Sequence, residues 1–237
     1  MSKKLQENLN SKFVVLGYDP GGKNKNGAAI IKIYESNRIS AEVTTTSSVD
    51  ETLEWFKNAG EQAEVRAVGI DTLLSWSTLE SGWRPMDDWI KDWLLNKGKR
   101  ETKETRRSIL RSNSLQGAMV VQGMAMAKKL RDKWEKIILN ETHPKVQYYA
   151  KSLKVYKYDE KDKGRRMKRW LRVEISGQMD LAHFPKMHNE HEWDALYSAW
   201  VTLQSIQSKS TPDLLDIAEP KVPLIFLAGQ TNYYWPF

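Results

Sequence analysis

The amino-acid sequence predicts one α/β domain built on a mixed five-stranded sheet, three antiparallel strands followed by parallel ones, with helices on both faces. Three observations carry this. The chain of 237 residues is of the size of one such domain. Its first 46 residues hold three β-rich runs joined by short turns, as in an antiparallel meander. Helical and strand patterns then alternate, the signature of βα crossovers and parallel pairing.

Phe13 to Tyr18 (FVVLGY) is a continuous apolar run and reads as a buried strand, ended by the turn signal Asp19-Pro20-Gly21-Gly22. Gly27 to Tyr34 and Arg38 to Thr46 read as the second and third strands. Ser48 stands as an N-cap before Asp50 and Glu51. Leu53, Trp55 and Phe56 give that helix its apolar face, and Gly60 ends it. Glu64 to Ile70 is a fourth strand, ending at Asp71. Asp87 to Leu95 reads as a helix within a stretch rich in tryptophan (Trp76, Trp83, Trp89 and Trp93). Asn113 to Trp134 reads as a long helix. Lys136 to Leu139 is a fifth strand, running into Asn140-Glu141-Thr142-His143-Pro144. Glu190 to Gln207 is an amphipathic helix. Residues 1–12 read as a flexible arm, 13–209 as the domain, with a basic, tryptophan-rich insertion at about 75–112, and 210–237 as a tail with an aromatic end. This order is the RNase H-like topology.

Composition narrows the function. With no cysteine, disulfides and thiolate metal sites are excluded. No apolar run approaches the roughly 20 residues of a membrane span. No signal-peptide stretch opens the chain, so a cytoplasmic location without a membrane partner is expected. The net charge of +7 suits a phosphate polymer, though many basic proteins bind none. Its placement says more than its sum. Lys97 to Arg111 holds seven Lys/Arg against two Glu, and Lys161 to Arg172 holds seven against one Asp.

Four carboxylates occupy informative places. Asp19 follows the first strand, Asp71 the fourth and Glu141 the fifth, while Asp194 lies in the last long helix. Parallel strands put their C-terminal ends on one side, where ligands of open α/β sheets collect. Crowded carboxylates repel one another, and a bound Mg²⁺ or Mn²⁺ removes that cost. Two such ions about 4 Å apart can clamp a phosphodiester for hydrolysis. Each residue also has an ordinary reading: a turn former for Asp19, an N-cap for Asp71, a loop residue for Glu141 and a solvated helix face for Asp194. Their joint placement favours the metal set. Ala195 and Ser198 beside Asp194 permit close approach to the sheet, with Leu196, Trp200 and Leu203 on the opposite, core-packed side. His191, one turn before Asp194, is a proton-transfer or metal candidate, or a polar helix-start residue. His143 is placed to contact substrate or to brace Glu141.

These residues carry a family resemblance. Gly17-Tyr18-Asp19-Pro20-Gly21, Val68-Gly69-Ile70-Asp71, Glu141-Thr142-His143-Pro144-Lys145, Lys163-Gly164 with the arginines after it, and Trp193-Asp194-Ala195-Leu196-Tyr197-Ser198-Ala199 resemble the domain-of-unknown-function family 429, predicted RNase H-like nucleases. Gly82-Trp83-Arg84 and Ser112-Asn113-Ser114-Leu115 resemble further positions of that family. The similarity runs from about Phe13 to Gln207. It implies an RNase H-like fold and a metal-dependent nuclease with Asp19, Asp71, Glu141 and Asp194 as ligands. The His191-x-x-Asp194 spacing also resembles the last helix of Holliday-junction resolvases. The basic segment Leu95 to Arg111 departs from the family pattern.

Lys99, Arg100, Arg106 and Arg107 in the first basic segment, and Lys163, Arg165, Arg166 and Arg169 in the second, are candidate contacts to DNA or RNA, with Trp170 placed for base stacking. A solvated basic face is the plain alternative. The aromatic end (Tyr233, Tyr234, Trp235 and Phe237) either docks on its own domain or engages a partner chain or second copy. Two other functions fit less of the sequence. A non-catalytic binding module would keep the fold and the basic surface. An actin-like nucleotide binder would use Asp19-Pro-Gly-Gly as a phosphate loop, but it needs a second glycine-rich copy that the chain lacks.

Overall fold

The segment Ser11–Asp19 forms β1, and its residues alternate between two buried faces. Phe13 and Val15 point into one apolar cluster, Val14, Leu16 and Tyr18 into the other. A strand covered on both sides reads as an unbroken apolar run, as this one does. In this computed structural model, which describes residues 11–22, 25–36, 38–78, 81, 83–96, 105, 109, 117–208, 212–217 and 224–235, β1 lies near the centre of the sheet.

On one side β1 pairs with β2 (Asn26–Tyr34), which pairs with β3 (Arg38–Thr46), both antiparallel. On the other side β4 (Glu64–Ile70) runs parallel to β1, and β6 (Ile138–Glu141) runs parallel to β4. The sheet has six strands rather than the five expected, in the order β6-β4-β1-β2-β3-β7. The addition, β7 (Asp180–His183), pairs parallel with the β3 edge, where Arg38 binds Asp180 at 2.8 Å. It has no apolar alternation to announce it. A second small sheet joins β5 (Trp76–Ser77) to β8 (Leu224–Ile225).

Helices cover both faces. On one, α1 (Val49–Gly60) and α3 (Gly117–Lys133) supply Phe56, Ala59, Met126, Ala127 and Leu130. Ser48 caps α1 as its position predicts, its Oγ accepting from the Glu51 amide at 3.1 Å. On the other face lie α4 (Pro144–Ser152), α5 (Lys161–Ser176) and α6 (Glu190–Gln207), with Tyr148, Leu171, Trp193 and Trp200 in one cluster. The second basic segment is thus the helix α5. Its Trp170 is not a free stacking platform: the ring packs edge-on against Tyr148 and Tyr197, with centroids 4.9 and 5.7 Å away.

The insertion contributes α2 (Pro85–Asn96), and the chain ends with the short α7 (Leu214–Ile217) and the tail. The tail docks on its own domain. Tyr233 and Trp235 are buried with Met86, Ile90 and Tyr149, and Trp89 and Trp93 meet Trp235 edge-on. Asn232 lies beside β6, its amide donating to the Leu139 carbonyl at 2.8 Å. Among the described residues no helix is long and apolar enough to cross a membrane. The arm at 1–10, Gly82, Ser112 to Leu115, Phe237 and the basic residues Lys99, Arg100, Arg106 and Arg107 lie outside the described residues.

The contact that positions everything else is between α6 and the sheet. A Cβ added to Gly17, Gly27 or Gly69 would lie 1.9, 2.0 or 2.3 Å from the carbonyl oxygens of Ala195, His191 and Ser198 respectively. These three glycines sit on the adjacent strands β1, β2 and β4, with Gly17 directly opposite Gly69. Helix backbone therefore rests on strand backbone. Gly17→Ala or Gly69→Ala must push the helix away and is expected to cost roughly 3 kcal/mol, at the upper end for overpacking. Urea unfolding of each variant measures it.

Candidate functional site

Because β1 and β4 are parallel, both end at the same edge of the sheet. Asp19 is the last residue of β1 and Asp71 the first after β4, its amide donating to the Tyr18 carbonyl at 2.9 Å. The close seat of α6 brings Asp194, next to Ala195, to the same edge. The three carboxylates come within electrostatic reach of one another. Burial first, then the charges of Asp19 and Asp71, push the Asp194 carboxyl well above the usual range, against the pull of the Lys145 ammonium. Burial and Asp19 raise Asp71 in the same way, again opposed by Lys145.

Asp194 is 2% exposed. Its Oδ2 accepts from the Tyr156 hydroxyl at 3.1 Å, while Oδ1 is buried with no hydrogen-bond partner. An unsatisfied buried carboxylate oxygen is costly and points to a missing cation or proton. Asp19 Oδ2 lies 2.7 Å from His191 Nδ1. A carboxylate only accepts, so the ring proton sits on Nδ1. That bond to Asp19 raises the imidazole above its ordinary value, against partial burial. Nε2 is left available for exchange with solvent or substrate.

Two residues of this site were missed from the sequence. Lys145 opens α4 just beyond the fifth strand. Burial alone would lower its ammonium, but the carboxylates of Asp194, Asp71, Glu190 and Asp19 together hold it above its ordinary value. The signal was its place directly after the strand-end Glu-Thr-His-Pro, on the acidic edge. Tyr156 is 38 residues from Asp194 in the chain, and no local pattern pairs them.

Glu141 is a correction. It reaches the same edge but spends both oxygens internally. Arg84 Nη2 donates to Oε1 at 2.5 Å and Nη1 to Oε2 at 2.7 Å, and the Leu74 amide donates to Oε2 at 2.7 Å. Arg84 also grips Asp87, through Nε and Nη2 at 2.9 and 2.8 Å. A carboxylate clasped bidentately by a fully buried guanidinium is a structural anchor, not an open ligand. His143 lies beside it. The ring is buried, its Nδ1 sits 2.7 Å from the Tyr233 hydroxyl and 3.9 Å from Glu141, and burial lowers its pKa. Of its two expected places, the one next to Glu141 agrees with this position.

The donor chemistry of Asp19, Asp71 and Asp194 fits a hard divalent ion, and the lone Asp194 Oδ1 is an oxygen in want of one. The side chains are not gathered around a single point: among the described residues no three Asp, Glu or His stand close enough to hold one ion. On α5, Lys163, Arg165, Arg166 and Arg169 are exposed, with Lys163 bound to Glu160 at 2.7 Å and Arg165 near Asp162 at 3.8 Å.

Comparison with known protein families, with characterised proteins and with solved structures returns no match.

Two predictions follow from these charges. Removing Arg84 leaves Glu141 and Asp87 buried without their cation, so Arg84→Met is expected to cost roughly 3–5 kcal/mol, read by urea unfolding. The second concerns pH. The folded pKa of Asp194 lies above 3.8 and that of His191 above 6.5, so the folded chain binds both protons more tightly than the unfolded one. The stability this provides is complete at low pH and is lost as pH rises, from about pH 4 for Asp194 and about 6.5 for His191. Asp194→Asn in EDTA is expected to melt higher than the parent at pH 7, with the gap closing toward pH 4. An unchanged pH slope would contradict the assignment.

Proposed function

We propose that the protein is a divalent-metal-dependent nuclease of RNase H-like architecture that hydrolyses phosphodiesters in DNA or RNA. One observation carries the reading: carboxylates from β1, β4 and α6, far apart in sequence, converge at one edge of the sheet, where burial and neighbouring charge raise Asp71 and Asp194. The strand order supports it, since β6-β4-β1-β2-β3 with β2 antiparallel is the RNase H-like arrangement, and β7 is an added edge.

Asp19, Asp71 and Asp194 would hold Mg²⁺ or Mn²⁺, which supplies Lewis-acid polarisation of the phosphodiester and a more acidic water. The remaining roles belong to the chain. Asp19 keeps the His191 proton on Nδ1, so Nε2 can accept a proton from an attacking water. Tyr156 fixes the orientation of Asp194 through Oδ2 and leaves Oδ1 toward the ion. Lys145 supplies positive charge to the cluster and is a cation that a substrate phosphate could meet.

A second reading, a nucleic-acid binder without catalysis, is favoured by one observation. The acids are not closed around a common point, and Lys145 already supplies positive charge to them. Incubation with single-stranded DNA, duplex DNA and RNA in Mg²⁺ and in Mn²⁺ separates the two. The nuclease is expected to cleave at least one of them and to lose about 10²–10³-fold in rate on Asp71→Asn or Asp19→Asn, a loss typical of removing an electrostatic catalytic group. Binding that persists in EDTA without any cleavage supports the binder.

A further inference from the structure

A cavity of about 430 Å³ opens between the end of α4, the linker after it and the first turns of α5. It is of small-ligand size. Its rim carries Lys154, Lys157, Lys163 and Arg166, and its wall is apolar, made by Leu153, Val155 and Met167 over the ring of Tyr148.

The sequence builds this locally. On α5 the positions 163, 166 and 167 stand three and four apart, so they share a face. The linker brings Lys154, Val155 and Lys157 to the cavity, while Tyr156 packs on Trp193, 5.6 Å between centroids. Linker and helix press together at Gly164, where a Cβ would lie 2.4 Å from the Tyr158 carbonyl oxygen. Leu153 closes α4 at φ 56°, the left-handed conformation that glycine normally supplies there. It is also 52% exposed. An apolar residue held in a costly conformation and shown to solvent is retained for its side chain.

The charge is unbalanced. Glu160 meets both Lys157 at 3.2 Å and Lys163 at 2.7 Å, and Lys157 has a further interaction besides. Among the described residues neither Lys154 nor Arg166 has an ion-pair partner. An apolar wall large enough for a planar ring, below a cationic rim, is complementary to one nucleotide unit: a base for the wall, phosphates for the rim. A purely apolar ligand would leave the rim unanswered, and an inorganic anion would leave the wall unanswered. The cavity also adjoins the acidic edge, because Tyr156, flanked by two of its lining residues, donates to Asp194.

We propose that this cavity holds one nucleotide unit of a single-stranded nucleic acid next to the carboxylate edge, its base on Leu153, Val155 and Met167 and its phosphates on Lys154, Lys157 and Arg166. The choice of occupant rests on the nuclease reading above.

Fluorescence anisotropy of labelled oligo(dT) and oligo(rU) with the full chain in EDTA tests it, across a range of salt. Lys154→Glu combined with Arg166→Glu is expected to raise Kd at least about tenfold near 0.1 M salt and to flatten the salt slope by about 1.4, the loss of two phosphate contacts on a single strand. Both residues are exposed, so thermal melting should match the parent and report an intact fold. Unchanged affinity and slope in the double variant overturn the cavity, and if the parent still cleaves, the nuclease reading stands without it. Loss of binding in the double variant of a chain that never cleaves in Mg²⁺ or Mn²⁺ sustains the cavity and overturns the nuclease. A parent that binds neither oligonucleotide overturns the cavity and leaves the nuclease reading to the cleavage assay.

Discussion

The site depends on how closely α6 lies on the sheet. Ordinary side chains on β1, β2 and β4 would hold that helix off the strands. Gly17, Gly27 and Gly69 remove them along one line, and the carbonyl oxygens of His191, Ala195 and Ser198 settle into the space. Small side chains do the same from the helix. Ser198 receives the Thr142 hydroxyl at 2.8 Å, and Thr202 receives Asn140 Nδ2 at 2.8 Å, so the seat is satisfied in hydrogen bonds as well as in shape. Asp194 reaches the strand ends only because of this approach. A residue one turn away on a helix standing higher would look over the edge rather than onto it.

The same edge solves the problem of buried acid in two opposite ways. Glu141 has both oxygens held: Arg84 clasps it, Asp87 holds the other side of the guanidinium, and Ser75 Oγ takes one of the remaining donors at 3.0 Å. Every strong group there has a partner, so the network holds the insertion to β6 and does little else. Asp19, Asp71 and Asp194 are left short of positive charge, with Lys145 as their main compensation and one Asp194 oxygen unanswered. Desolvating an unpaired carboxylate costs several kcal/mol, far more than a surface residue in the same fold would forfeit. A protein that can bind Glu141 so thoroughly has the means to do the same for Asp194. The imbalance is therefore the more informative feature of the two.

Much of this was legible in the chain because it is local. Continuous apolar runs mark strands buried on both faces, and FVVLGY is one. Ser48 with Asp50 and Glu51 marks a helix start, and the Glu190–Gln207 helix has its predicted limits. The expectation that Ala195 and Ser198 allow close approach also holds. A short strand at Leu224 to Leu227 is legible as an apolar run and is found as β8, but the short strands β5 and β7 are not. At β7 the exposed run Asp180–His183 pairs only at an edge, so it carries no period-two burial. The helix α5 hid behind its charge: seven cations suggested nucleic-acid contacts or a solvated face, while Met167, Leu171 and Ile175 at helical spacing form its buried stripe.

What the sequence determined by itself is the order of the central strands, the acidic residue at the end of β1, β4 and β6 and the small residues that let a helix approach the sheet. These follow from short-range geometry: side-chain period, turn chemistry and the space that a missing Cβ leaves. Only the tertiary structure decided which acids are free. Glu141 and Asp194 look alike in the chain, each beside small or polar neighbours near the end of an element. The difference comes from Arg84, Tyr156 and Lys145, which lie 57, 38 and 49 positions away from the acids they govern. Coulombic interaction depends on distance through space, and no pattern read along one segment contains that distance.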